Sequence, residues 1–166
     1  MQVIPVCIEK EIEPNDDLSE LIINSKDICD GDILVIAQKI ISKQEGRIVK
    51  LSSVVPSLLA EGISSEYEKN PKITQLILNE SKQIIRMDRG IMIVETNNGF
   101  ICANAGIDES NVPNGFVTLL PLDSDLSANL IRNNILKKVN KTVAVIISDT
   151  FGRPFRMGQT DRKSVV

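Results

Sequence analysis

The chain switches repeatedly between the two-residue apolar period of strands and the 3.6-residue period of helices. Residues 2–8 alternate and are β-branched, which predicts a first strand. Pro14-Asn-Asp-Asp17 is a helix-start signal with acids at the positive helix end, and Leu18, Leu21 and Ile22 follow at helical spacing. After a turn at Gly31-Asp32, residues 33–37 are apolar throughout, the pattern of a strand covered on both faces. A short strand is expected at 47–51, and Pro56 opens a helix carrying Leu58, Leu59 and Ile63, weakened by Gly62. Asn70-Pro71 caps the next helix, striped by Ile73, Leu76 and Ile77. Residues 83–87 and 91–95 form a hairpin around Asp88-Arg-Gly90; Asn97-Asn-Gly99 marks another turn, and strands follow at 100–103 and 116–120. Leu122-Asp-Ser-Asp125 caps a helix carrying Leu126, Leu130, Ile131, Ile135 and Val139, with Lys137, Lys138 and Lys141 at its negative end. A final apolar, β-branched run at 142–147 reads as a buried strand. The pattern predicts a mixed α/β fold, with hairpins, covering helices and at least one βαβ-like step, in a single domain spanning 1–166.

Composition narrows the chemistry. A net charge of −3 without a basic block argues against a nucleic-acid partner. No apolar run approaches a membrane span and the first residues lack a charged signal-peptide region, so a cytoplasmic protein with no membrane partner is expected. Cys7, Cys29 and Cys102 are odd in number, far apart and in apolar settings, the pattern of reduced, buried thiols. Tyr67, the single tyrosine, is expected to be partly buried. Histidine is absent, which excludes a Ser-His-Asp triad and a His-containing zinc site. Catalysis must therefore run on carboxylates, Lys, Arg, hydroxyls, backbone amides or an oxygen-bound metal.

Three predicted strand ends carry polar clusters. The first follows 33–37 and contains Lys39 and Lys43, which either reach a phosphate or belong to a solvated loop. The second follows 100–103, where Asn104, Asp108 and Asn111 supply oxygen donors in a loop loosened by Gly106, a composition that also suits a tight turn. At the third, residues 142–147 run into Asp149 and Thr150, then into Gly152, Arg153, Pro154 and Arg156. Polar groups at the carboxyl ends of buried strands are where open α/β sheets place ligands. Acids and neutral oxygens favour Mg²⁺ or Mn²⁺, and neighbouring cations suit a triphosphate. A metal- and nucleotide-dependent enzyme is the resulting expectation; a metal-dependent phosphohydrolase is an alternative.

Four stretches carry a sharper resemblance: Asp32-Ile-Leu-Val-Ile-Ala-Gln-Lys-Ile-Ile-Ser-Lys-Gln-Glu-Gly-Arg47, Asn70-Pro-Lys-Ile-Thr-Gln-Leu-Ile-Leu-Asn-Glu-Ser81, Gly99-Phe-Ile-Cys-Ala-Asn-Ala-Gly-Ile-Asp-Glu-Ser-Asn111 and Val145-Ile-Ile-Ser-Asp-Thr-Phe-Gly-Arg-Pro-Phe-Arg-Met-Gly-Gln-Thr-Asp161. In order and spacing the chain resembles the coenzyme F-420-0:γ-glutamyl ligase family. The resemblance implies that family's fold, a homodimer, and GTP-dependent addition of L-glutamate to the coenzyme F-420 precursor through an acyl phosphate. It implies a divalent metal, with K⁺ as a further candidate cation. By this resemblance Asp108 and Asp149 are ligands of one metal and Thr150 of a second. Gln38, Lys39, Lys43 and Asn111 are GTP contacts, as is the segment Glu9, Lys10, Glu11 and Ile12, through backbone; the family has a proline-containing version there. Lys43 is expected to offset charge on the transferring phosphoryl group, and Arg153 and Arg156 to hold the anionic acceptor or glutamate.

Family members continue past Gly158-Gln-Thr-Asp161 with a small, apolar, Gly-rich segment, whereas Arg162-Lys-Ser-Val-Val166 resembles nothing in the family. An aberrant tail at 162–166 is expected, with a further metal ligand, part of the nucleotide site and partner strands for 142–147 missing. The expected consequence is weak or no activity, or a remnant that at most binds nucleotide.

Overall fold

A computed structural model describes residues 2–149 and the backbone of 160–165. In chain order the elements are α1 (Leu18–Ser25), β1 (Ile33–Ala37), α2 (Gln38–Gln44), β2 (Ile48–Lys50), α3 (Leu58–Tyr67), α4 (Pro71–Asn79), β3 (Ser81–Asp88), β4 (Ile91–Thr96), β5 (Ile101–Ala103), β6 (Phe116–Thr118), α5 (Ser124–Val139), β7 (Ala144–Asp149) and β8 (Thr160–Val165). This is the mixed α/β architecture that the apolar pattern predicts. Among the described residues, no helix is long and apolar enough to cross a membrane.

Two compact units emerge. One draws its described residues from 1–46, 123–150 and 159–166, the other from 47–122. The first is built on a sheet of order β1-β7-β8. β1 and β7 run parallel, in register from Ile33 opposite Ala144 to Ala37 opposite Ser148. The backbone of β8 pairs antiparallel with β7. Partner strands for the last apolar run are thus present on both sides, contrary to the expectation that they are missing.

The register puts alternate residues into one core. Ile36, Val145 and Ile147 pack with Leu18 and Ile22 of α1, Ile41 of α2 and Ala128, Ile131 and Ile135 of α5, joined by Ile12. Burying each of the isoleucine, leucine and valine side chains among them stabilises the unit by about 1.5–3 kcal/mol. The positions between them behave differently: Ile33 and Val35 are each 62% exposed. Cover on both faces, expected from the unbroken apolar run, is therefore not observed for β1.

Helix ends follow their capping residues. Asp17 accepts a hydrogen bond from Glu20 N at 3.1 Å, and Asp123 one from Leu126 N at 2.9 Å. Lys138 of α5 reaches back to α1, pairing with Asp17 at 2.7 Å and Glu20 at 3.1 Å. The predicted strand at 2–8 does not form; the segment is irregular, with Val3 83% exposed. β-branched residues favour extended backbone, but a strand forms only where packing and pairing partners meet it. For the same reason the expectation of three buried thiols fails. Cys7 and Cys29 are exposed and Cys102 alone is buried, with all three free of disulfides.

The second unit combines the antiparallel sheet β3-β4-β5 with the two-stranded β2-β6 sheet, and α3 with α4. α3 starts behind the Ser57 cap, and α4 has Pro71 in its first turn behind the Asn70 cap. Ile63, Ile77, Met92, Val94 and Ala105 form one core, with Tyr67 partly buried against it, as expected. Leu76, Val117 and Leu119 form another. Arg47 ties this unit's edges together, donating to Glu80 Oε2 at 2.6 Å and to the Leu120 carbonyl at 2.9 Å. A cavity of about 100 Å³ lies beside that pair.

Candidate functional site

In the first unit, parallel pairing brings two carboxyl ends to one sheet edge. Ala37 lies opposite Ser148, so Gln38 and Asp149 are the next residues along neighbouring chains. β7 extends through Asp149, making that half-buried carboxylate the last strand residue. At β1 the chain passes directly into α2, without a side-chain cap. Residues 38–44 are thus helical rather than a solvated loop, and Lys39 and Lys43, four apart, share a helix face. Gln38 is 7% exposed and donates to the buried Ser42 hydroxyl.

The early segment lies beside α2. Ile12 is anchored in the core, and Asn15 N donates to the Gln44 carbonyl at 2.8 Å. Glu9, Lys10 and Glu11 are exposed. Glu11 Oε1 accepts from Lys43 Nζ at 2.9 Å, so this segment and the helix meet through side chains. Lys10 pairs with Asp16 at 2.6 Å. The Lys10 hydrogen bond, with help from Glu13 N–H, holds the Asp16 carboxyl below the usual carboxylate range. Thr150, Arg153 and Arg156 lie outside the described residues.

In the second unit, Asp108 is positioned by irregular backbone. β5 ends in a short 3-10 turn, Asn104–Gly106, in which φ is +50° at Asn104, +53° at Ala105 and +68° at Gly106. Left-handed backbone at a residue with a Cβ costs about 1–2 kcal/mol, so contacts must over-determine this turn. Asn104 Oδ1 accepts from Met92 N at 3.2 Å and from Lys69 Nζ at 3.1 Å. Burial pushes the Lys69 ammonium pKa down. A Cβ on Gly106 would lie 2.6 Å from Leu120 Cδ2. Gly106 is therefore a close-approach glycine, and the loosened loop expected from it is absent.

Beyond the turn, Asp108 exchanges backbone hydrogen bonds with Thr118, at 3.1 Å from its N–H and 2.8 Å to its carbonyl. Its carboxylate accepts from Ser110 N at 2.8 Å and Ser110 Oγ at 2.9 Å. Asn111, exposed and at φ +56°, completes the loop.

Asp108 and Asn111 thus share one loop, while in the other unit Gln38 and Asp149 follow neighbouring strand positions, Lys39 and Lys43 lie on the helix that begins there, and Glu11 is paired with Lys43. The donors are carboxylate and amide oxygens, which fit Mg²⁺ or Mn²⁺ in chemical type. Among the described residues no group of three His, Cys, Asp or Glu side chains gathers at metal-binding distance. Sequence reasoning missed Lys69, Ser110 and Thr118. The Asp-x-Ser spacing of an Asx turn was a signal for Ser110; Lys69 carried none.

A profile of the family described as F420-0:Gamma-glutamyl ligase matches residues 8–163. A coenzyme F420:L-glutamate ligase from Methanopyrus kandleri is 42% identical over 158 residues, 95% of this chain and 63% of the relative. Relatives of the same name from Methanothermobacter thermautotrophicus and Methanocaldococcus jannaschii are each 47% identical, over 86% and 85% of this chain. The chain spans 63%, 59% and 56% of the lengths of these three curated relatives.

Proposed function

The chain belongs to the F420-0:Gamma-glutamyl ligase family, and from this we propose that it takes part in GTP-dependent ligation of L-glutamate to the coenzyme F420 precursor. The observation that carries the proposal is the edge where β1 and β7 end together, with Asp149 beside Gln38 and Lys39, and Lys43 one helical turn on. In this reading Lys39 and Lys43 face nucleotide phosphates from one helix face, and Glu11 releases Lys43 when phosphate takes its place. Gln38 and Asn111 bind nucleotide by hydrogen bonds, with the main chain of residues 9–12 alongside. Asp108 and Asp149 would hold a divalent cation and Thr150 a second, and such cations, when bound, would offset charge on the nucleotide phosphates.

The chemistry balances in two steps. A carboxylate oxygen of the precursor attacks the γ-phosphorus, the bond to the bridging oxygen breaks, and GDP leaves. The glutamate amine nitrogen then attacks the acyl carbon, phosphate leaves with its oxygen, and the nitrogen loses a proton to give the amide. Lys43 stabilises charge on the transferring group, and Arg153 and Arg156 hold the carboxylates of acceptor or glutamate. K⁺ and a second copy of the chain complete the proposed working assembly, in the cytoplasm.

The test is a reaction of the chain with GTP, Mn²⁺, the precursor and glutamate, followed by GDP release and product mass. GDP release that depends on both acceptor and glutamate supports the reading. Phosphate release from GTP without either supports a phosphohydrolase and removes it.

A further inference from the structure

We propose that Lys69 is a positioning residue for Asp108, acting through the Asn104 side chain; its bearing on ligation rests on the reading of Asp108 as a metal ligand. Three observations combine. The first is that the root of Lys69 is fixed. α3 ends in left-handed Glu68, and Lys69 N donates to the Ser64 carbonyl at 3.0 Å. The next residue, Asn70, caps α4.

The second is the path of the side chain. A lysine that only covers apolar surface turns its ammonium to water. Lys69 instead carries its stem past the β3–β4 turn, where its Cε would lie 3.4 Å from a Cβ added to Gly90. Among the described residues its ammonium has one hydrogen-bond partner, Asn104 Oδ1, at 3.1 Å. Burial of that cation is reflected in its lowered pKa.

The third is what Asn104 controls. It is the first of three consecutive residues at positive φ, and its carbonyl accepts from Ile107 N at 3.0 Å, immediately before Asp108. On the far side, Asp108 is fixed by Thr118. Lys69 and Met92 N therefore hold the near end of a strained segment whose far end is pinned to β6, and the backbone that carries the Asp108 carboxylate is set between them. Hydrogen bonds that fix the orientation of a ligand-bearing segment commonly change metal affinity when removed.

The experiment uses the 166-residue chain and four variants, Lys69→Met, Lys69→Arg, Lys50→Met and, for the metal titration, Asp108→Asn. Amide hydrogen exchange is read at Ile107 and Asp108, without metal. Lys69→Met is expected to exchange roughly tenfold faster there; Lys69→Arg, which keeps the donor, and Lys50→Met, on an exposed strand position, stay near the native rate. Should Lys69→Met lose protection throughout β3 and β4, Lys69→Arg decides, its native-like protection supporting the proposal and its loss overturning it. Unchanged exchange at both amides in Lys69→Met also overturns it. A Mn²⁺ titration supplies the second reading, with Lys69→Met weakening binding roughly 10- to 100-fold and Lys69→Arg restoring it. If Asp108→Asn leaves Mn²⁺ affinity unchanged, the metal reading of Asp108 fails, and the exchange data decide the positioning role alone.

Discussion

Asp149 and Asp108 are both acids beyond apolar runs, yet the molecule places them by opposite means. Asp149 ends a strand in regular parallel register with β1 and paired antiparallel with the backbone of β8, so hydrogen-bond ladders and an isoleucine core fix it. Asp108 follows three left-handed residues, two of which carry a Cβ, and side chains from elsewhere hold it. A regular edge derives its precision from periodicity. An irregular turn needs specific contacts, each of which is a point of failure.

Substitutions can break this contrast. Ile147→Ala removes a fully buried β7 side chain at 0% exposure and is expected to destabilise the first unit by about 2–5 kcal/mol, read by denaturant unfolding. Gly106→Ala sets a methyl group 2.6 Å from Leu120, which is 4% exposed, at φ +68°. A loss of about 2–3 kcal/mol is expected in the same assay. A neutral outcome would show that the turn relaxes, contrary to an over-determined segment. Asn104→Ala leaves Lys69 and Met92 N without their acceptor, a loss of about 1–3 kcal/mol, with exchange at β4 as the local readout.

The smallest effect lies on the surface of the regular unit. The hydrogen bond from Lys138, followed by those from backbone N–H groups, holds the Asp17 carboxyl below its ordinary value of 3.8. A carboxylate depressed in the folded state adds stability that is fully present above its unfolded pKa and lost as pH falls through its folded one. The pair is exposed, at 36% and 43%, so solvent screening keeps the effect small. Asp17→Asn preserves a capping side chain and is expected to flatten that part of the thermal-stability profile as pH falls below the ordinary carboxylate value of 3.8.

The regular unit was legible because its signals agree: β-branched runs, Asp17 and Asp123 as caps, and lysines at the end of α5. The polar stop after Ile147 marked the carboxyl end of β7, where the candidate site lies. α2 escaped because Ala37, a residue without a capping side chain, precedes it and it spans seven residues, too few to display a period. The exposure of Cys7, Val3 and Val35 depends on what covers each surface, which local pattern does not encode. The left-handed Asn104 and Ala105 were hidden because tertiary contacts impose their conformation, and Lys69 is 35 residues away from its partner.

The central claim, that the β1–β7 edge receives the nucleotide, is tested most directly by titrating GTP into the chain in the presence of Mn²⁺, with Lys43→Met beside it. Loss of one charge-assisted contact to phosphate is expected to weaken binding by roughly 10- to 100-fold, while the fold, judged by circular dichroism, is unchanged. Equal GTP affinity for the two chains would contradict the account.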